Sequence, residues 1–124
     1  MYTENELTAT LPLVRVPFHG FDFDILISVL KNDKKWKKGE MNSMILIRDS
    51  SRIVLLVILH ENTEIKSDLI QKQIVFDIIE GKLEVHSPKN EDHNLSNGET
   101  ITLNDSKFRI NSIKETAFLM TLNS

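Results

Sequence analysis

Four histidines are the side chains best suited to metal binding or acid–base chemistry in this 124-residue sequence. They are His19, His60, His86 and His93. Either kind of chemistry needs several such groups to converge, and His60 is followed by Glu61 and Glu64. We interpret His60 as a surface residue at the end of a predicted strand. A metal set of His60, Glu61 and His86 is the alternative.

A basic segment surrounds the single tryptophan. Trp36 lies among the lysines Lys31, Lys34, Lys35, Lys37 and Lys38. Such a segment could hold phosphates while the indole stacks on a base. The chain has 15 basic and 18 acidic residues, however, for a net charge of −3. We therefore interpret Trp36 as packing on the protein beneath solvated lysines whose stems cover apolar surface, and we expect no nucleic-acid partner.

The sequence lacks the patterns that are typical of several other kinds of functional site. Cysteine is absent, which excludes disulfides, thiolate metal sites and a cysteine nucleophile. The four glycines lie far apart, so there is no glycine-rich phosphate loop, and no nucleophile elbow is present. The longest apolar run, residues 53–59, is seven residues long, whereas a membrane-spanning helix needs about 20 apolar residues. With no signal-peptide pattern at the start, we expect a cytoplasmic protein without a membrane partner.

Strand signals dominate from residue 44 onward. Predicted strands cover residues 44–47, 53–59, 74–79, 82–85, 99–103, 108–113 and 117–122. The continuous apolar run at 53–59 indicates a strand covered on both faces. A turn is predicted at 49–51, a hairpin corner at Gly81 and a polar loop at 87–92. Seven or so short strands at regular spacing predict a sandwich or barrel.

The first third of the chain has a different pattern. Residues 21–30 predict a short helix capped by Asp22 or Asp24, although a strand is the alternative because apolar residues also alternate there. The predicted apolar face of the helix is Leu26, Val29 and Leu30. Residues 11–18 alternate too, but two prolines restrict them to a sheet edge or an extended arm.

Three segments resemble motifs of the cupin family. Residues 75–85 (VFDIIEGKLEV) resemble the central motif, in which a strand ends in a tight glycine turn. Residues 95–103 (LSNGETITL) resemble the second motif, where a glycine and an acidic residue open a strand. Residues 114–122 (KETAFLMTL) resemble the closing strand of small one-domain cupins. With WKKG at 36–39 and RIVLL at 52–56, the resemblance spans residues 36–122.

This resemblance implies an all-β fold, a cupin-like double-stranded β-helix (jelly-roll barrel) with a short N-terminal helix and an extended arm. The chain is then one domain of residues 1–124, with the arm and helix in 1–35 and the barrel in 36–124. Gly81 and Gly98 fit positions that need a positive φ at hairpin corners. Small cupins commonly pair, so we expect a homodimer in which the arm crosses to the partner's sheet edge.

The metal ligands of the family do not carry over to this sequence. The resemblance puts the paired histidines at Asp68 and Ile70, the glutamate at Ile74 and the later histidine at Arg109. A transition metal needs three or four nitrogen or oxygen donors. The two isoleucines have none, and a guanidinium repels a cation. We therefore expect neither a metal nor another cofactor.

The same four positions, together with Phe76, imply a ligand site. Alternation together with the family geometry predicts that the following residues line the barrel interior: Asp68, Ile70, Ile74, Phe76 and Arg109. Asp68 and Arg109 then form an ion pair across the barrel mouth, or lie solvated at its rim. Such an apolar cavity with one cation suits a small anionic ligand. Filling of the interior by Phe76, Phe108 and Phe118 is the alternative.

These observations favour a metal-free, non-enzymatic cupin-like protein that binds a small-molecule ligand or has a structural role. One alternative is an enzyme. It would be an isomerase that uses Asp68 or His86 as its base, or a dioxygenase-type enzyme with displaced metal ligands. The other alternative is an interaction module in which the lysine-rich segment binds a protein partner.

Overall fold

The computed structural model describes residues 21–70 and 73–124, with Asn90 described by its backbone alone. The predicted arm at residues 11–18 lies outside this part of the chain. Two helices come first, α1 (Phe23–Lys31) and α2 (Lys34–Lys38). Nine strands follow in the described residues: β1 (Met41–Arg48), β2 (Arg52–Leu59), β3 (Glu64–Asp68), β4 (Gln73–Glu80), β5 (Lys82–Ser87), β6 (Asn90–Ser96), β7 (Thr100–Leu103), β8 (Lys107–Ser112) and β9 (Thr116–Asn123). Neither described helix is long and apolar enough to cross a membrane.

The strands form two antiparallel sheets around one apolar core. One sheet has five strands in the order β1-β2-β9-β4-β7, and the other has four in the order β3-β8-β5-β6. Alternate residues of each strand point inward. Leu55 and Phe76 from the first sheet and Leu83 and Ile110 from the second are therefore all at most 2% exposed in one cluster. The predicted all-β architecture is confirmed.

The strand β2 carries the continuous apolar run and is covered on both faces, as predicted. Leu55, Val57 and Leu59 pack in the core between the sheets. Leu56 and Ile58 point the other way and pack beneath the helices. The run is continuous because neither face of this strand meets water.

The predicted helix at residues 21–30 is confirmed as α1, and Asp22 is its N-cap. The face that it buries differs from the prediction. Ile27 and Leu30, three residues apart, are buried, with Leu26 half-buried beside them. Val29 is 53% exposed, so its predicted place on the buried face is wrong. The helix is rotated so that Ile27 takes that place over β2.

The predicted turn at residues 49–51 joins β1 to β2. The Asp49 carboxylate accepts hydrogen bonds from the backbone N–H groups of Ser51 (3.0 Å) and Arg52 (2.9 Å). The bond from the Ser51 N–H, more than any other contact, holds the pKa of Asp49 below its usual value. The turn is thus closed by the side chain of its first residue.

Gly81 and Gly98 lie where the chain crosses between the two sheets. Gly81 (φ +106°) joins β4 to β5, and Gly98 (φ +80°) lies between β6 and β7. Their predicted positive φ is confirmed, but the hairpin corners are wrong, because each glycine joins strands of different sheets. The crossings are linked, since the Gly81 N–H donates to Asn97 Oδ1 and the Gly98 N–H donates to Ile78 O, each at 2.8 Å.

The sequence pattern misses the strands β3 and β6. Both lie at edges of the four-stranded sheet. The strand β3 buries Ile65 and Ser67, and Leu95 is the buried side chain among those described in β6. The predicted polar loop at 87–92 is wrong, because β6 begins at residue 90 after a short turn and pairs with β5. Edge strands with one solvated face carry few apolar residues, so periodicity does not reveal them.

Candidate functional site

The space between the sheets is filled by aromatic side chains. Phe76 is fully buried, and its ring contacts Phe108 edge-on with centroids 5.3 Å apart. The ring of Phe118 lies 5.8 Å from Phe76 on another side. Of the predicted interior residues, Ile74 and Phe76 do lie in the core. They form part of its packing, as the alternative of a filled interior predicts.

The other three predicted interior residues face solvent. Asp68, Ile70 and Arg109 are all exposed, and Ile70 is 87% exposed. The prediction carries one alternation from Asp68 to Phe76, but β3 and β4 belong to different sheets. The alternation of inward and outward side chains in β3 therefore does not continue into β4. In β8 the inward residues are Phe108 and Ile110, so Arg109 points outward.

The predicted ion pair between Asp68 and Arg109 is also wrong. Strand register places Lys107 opposite Asp68, and Lys66 opposite Arg109. The Asp68 carboxylate instead accepts a hydrogen bond from the Ser106 hydroxyl at 3.3 Å. The two charges are thus offset by two residues across neighbouring strands.

A comparison of two isoleucines tests the positions of Ile74 in the core and of Ile70 at the surface. Ile74→Val is expected to lower the free energy of unfolding by about 0.5–1.5 kcal/mol, because it removes a methylene from a packed core. Ile70→Val is the matched control and is expected to change it by less than about 0.5 kcal/mol. Urea unfolding of both variants measures the difference. Equal losses would show that Ile70 is not a surface residue.

The residues at the family's ligand positions do not fit a metal. Ile74 offers no donor, and Asp68, Ile70 and Arg109 point away from the core. Within residues 21–70 and 73–124, no three His, Cys, Asp or Glu side chains are grouped so that they could hold an ion. The alternative set of His60, Glu61 and His86 is therefore not assembled.

His60 and Trp36 form a packed pair beside β1 and β2. Trp36 is 6% exposed, and its ring stacks on the His60 imidazole with centroids 3.4 Å apart. The His60 Nε2 atom lies 2.7 Å from the Trp36 carbonyl oxygen, within hydrogen-bond distance. The four lysines of α2 are exposed around it. The indole therefore packs on the protein, as predicted.

A row of basic side chains crosses the outer face of the four-stranded sheet. Arg109 of β8 is opposite Lys66 of β3 on one side and opposite His86 of β5 on the other. Lys107 lies two residues from Arg109 on the same face. Side chains directly opposite on an antiparallel pair are about 5 Å apart at Cβ, and like charges there are destabilising. The positive charge is local to the pair Arg109 and Lys66, because the acidic Asp68 and Glu84 lie on the same face.

These basic side chains line a cavity of about 320 Å³. The cavity lies at the end of the pairing between β5 and β8, which stops at His86 and Arg109. Its lining includes Lys66, His86, Lys107 and Arg109 together with the apolar Pro88 and Phe108. The site thus combines apolar wall with cationic groups.

The charges of the cavity differ in their partners. Lys66 Nζ lies 3.6 Å from Glu64, and His86 Nε2 lies 3.1 Å from Glu84. In the described part of the chain, no carboxylate lies within 4.0 Å of Lys107 or Arg109. These two side chains are therefore the permanent cations of the cavity without an ion pair, although Asp68 is opposite Lys107 in the strand register.

His86 is held by carboxylates at both ring nitrogens. Its Nδ1 atom lies 2.8 Å from Asp92 Oδ1. This contact is close enough for an ion pair but lacks hydrogen-bond geometry, since Nδ1 has no hydrogen-bond partner among the described residues. Glu84 meets the other nitrogen. Asp92 is therefore a neighbouring charge, and Glu84 is the hydrogen-bond partner.

The strand order, the two facing sheets and the crossings between them define an antiparallel jelly roll. Solved structures share it. A cupin-2 domain containing protein from Shewanella frigidimarina has a TM-score of 0.64 at 13% identity, over 85% of this chain and 95% of that one. A cupin superfamily protein from Desulfitobacterium hafniense has a TM-score of 0.60 at 12% identity, over 68% and 77%. This chain has the cupin fold.

The same fold occurs in proteins of different roles. Ectoine synthase from P. lautus matches with a TM-score of 0.59 at 15% identity, over 68% of this chain and 64% of that one. No protein-family model matches the sequence, and no curated protein matches it. The fold alone therefore does not assign a function.

Proposed function

We propose that this chain is a cupin-fold binding protein that holds a small anionic ligand in the cavity lined by Lys66, Lys107 and Arg109, without a metal in the barrel. The observation that carries the proposal is the position of Arg109 opposite Lys66, which places two positive charges across from one another beside a cavity. Like charges directly opposite one another on neighbouring strands repel. A bound anion would offset that repulsion.

The lining of the cavity indicates the class of ligand. Arg109 can bind a carboxylate or phosphate through two parallel hydrogen bonds, and Lys107 adds a second, mobile charge. Pro88 and Phe108 offer apolar contact on another part of the wall. At about 320 Å³ the cavity is at the small end for ligand sites. A compact anion with a small apolar group fits these features.

The surroundings of His86 support binding over catalysis. A general base needs a ring nitrogen within hydrogen-bond reach of the substrate. The nitrogens of His86 face Glu84 and Asp92 instead. Asp68, the other base considered, is exposed and accepts from Ser106. His86 Nε2 is thus engaged by Glu84, His86 Nδ1 lies against the Asp92 carboxylate, and Asp68 does not line this cavity.

Calorimetric titration tests the proposed site. Phosphate, benzoate and phenyl phosphate are the probes, and benzyl alcohol is the uncharged comparison. We expect at least one anion to bind and Arg109→Gln to weaken it about 10–100-fold, since hydrogen bonds to charged groups contribute about 1.5–3 kcal/mol.

The matched control is Arg48→Gln, which removes one exposed guanidinium from β1 in the other sheet. It is expected to leave anion affinity within about two-fold, because that charge is remote and screened. Binding that Arg109→Gln and Arg48→Gln weaken equally would show a general effect of net charge. Failure of all three anions to bind would refute the proposal.

A further inference from the structure

A second cavity, of about 500 Å³, lies next to the cavity lined by Lys66, Lys107 and Arg109. Its lining residues are chain neighbours of those that line the first one. They belong to the end of β3, to the β5–β6 turn and to the turn that joins β7 to β8. Among them, four side chains carry oxygen atoms: Asp68, Asn104, Asp105 and Ser106. The second cavity is thus rich in oxygen donors where the first is rich in cations.

Asp105, which lines this cavity, has one carboxylate oxygen that is buried without a partner. Asp105 is 8% exposed, and its Oδ1 atom accepts a hydrogen bond from the Lys107 N–H at 3.1 Å. Its Oδ2 atom is buried and has no hydrogen-bond partner among the described residues. Buried polar atoms are nearly always satisfied, and a buried charge needs a counter-charge. Asp105 therefore needs a partner that the described chain does not supply.

A second carboxylate is held at the same turn. The Asp68 carboxylate accepts from the Ser106 hydroxyl at 3.3 Å, and the Leu69 N–H donates to the Ser106 carbonyl at 2.9 Å. These two bonds fix the end of β3 against the residue that follows Asp105. Two acidic side chains, a hydroxyl and an amide thus border one space.

We propose that a hard divalent cation, Ca²⁺ or Mg²⁺, binds in this second cavity, with Asp105 Oδ2 and Asp68 as its charged ligands. Ca²⁺ takes six to eight oxygen ligands in variable geometry, and Mg²⁺ binds through one or two carboxylates while it keeps several waters. A cavity of about 500 Å³ has room for those waters. The cation supplies the counter-charge that buried Asp105 lacks.

Thermal unfolding followed by fluorescence, and calorimetric titration, test the site in the full chain. CaCl2 and MgCl2 are titrated separately after treatment with EDTA, with KCl at equal ionic strength as the reference. We expect a rise in Tm with at least one divalent salt and none with KCl beyond screening. The salt that gives the larger rise identifies the cation. No response to either salt would overturn the proposal.

Asp105→Asn is the decisive variant because it keeps the Oδ1 acceptor of the turn and replaces only the unpartnered oxygen. We expect it to weaken divalent binding about ten-fold or more, since it removes one of two charged ligands. In EDTA we also expect a Tm above that of the parent protein, because a buried uncompensated charge is gone. Glu80→Gln, an exposed acid in the other sheet, is the control and should keep the divalent response.

Lys89 gives a test of opposite sign. Its side chain lines the same cavity, and its charge opposes a bound cation. Lys89→Gln is therefore expected to tighten divalent binding about three-fold. Weaker binding in Lys89→Gln, or an unchanged divalent response in Asp105→Asn, would overturn the assignment of the ligands.

Discussion

Phe76→Ala is expected to lower the free energy of unfolding by about 3–5 kcal/mol. The side chain is fully buried between the sheets, and its ring contacts Phe108 and Phe118. Alanine removes most of the apolar contact and leaves a cavity that strands on both sides cannot close. Urea or guanidinium unfolding monitored by circular dichroism measures the loss.

The control for this prediction is Phe76→Leu, which keeps most of the apolar volume and is expected to cost clearly less. A loss below about 1 kcal/mol for Phe76→Ala would contradict the filled interior. In that case the space between the sheets would be open enough to hold a ligand. The result therefore also distinguishes an internal site from the site on the outer face.

Gly81→Ala is expected to lower the free energy of unfolding by about 2–5 kcal/mol. Two causes act together. The φ of +106° is unfavourable for any residue with a Cβ atom. A Cβ placed there would also lie 2.5 Å from the carbonyl oxygen of Glu115 and 2.6 Å from Cα of Thr116. Both neighbours are backbone atoms at the start of β9, so neither moves without disturbing the central strand of the sheet.

Gly98→Ala separates the two causes. Gly98 also has a positive φ, of +80°, but nothing lies within 4 Å of the Cβ position. We expect it to cost only the conformational part, about 1–2 kcal/mol. Chemical unfolding of both variants under the same conditions compares them. If the two variants lost equal stability, the close approach of Gly81 to β9 would have no energetic consequence.

The sequence predicts the fold well where burial is two-sided or where a turn needs particular residues. The run at 53–59, a helix cap at Asp22 or Asp24, and the positive φ of Gly81 and Gly98 were each readable from residue type, and the structure has the cap at Asp22. What periodicity does not predict is which strands pair. The pattern around Gly81 is compatible with a hairpin and with a crossing between sheets, because both need the same backbone conformation at the glycine. The long-range pairing of β4 with β9 decides between them.

The candidate site was less predictable. Arg109 was predicted to be the cation of an anion site, and that role stays a prediction, but its side chain was assigned to the wrong face of the sheet. Its orientation follows from its neighbours Phe108 and Ile110, which are both apolar and both buried. That alternation was a usable signal in the sequence. Lys66 was missed with β3, because a strand with two inward side chains, one of them Ser67, has too little hydrophobic contrast to be recognised.

The position of β9 has a consequence for how a newly made chain folds. This strand lies between β2 and β4, and it pairs with both along nearly its whole length. During synthesis on the ribosome, β2 and β4 emerge long before residues 116–123, and each then has an open edge with no partner on that side. Unpaired strand edges of high apolar content are sites of aggregation. The larger sheet can therefore close only after the last described strand has emerged.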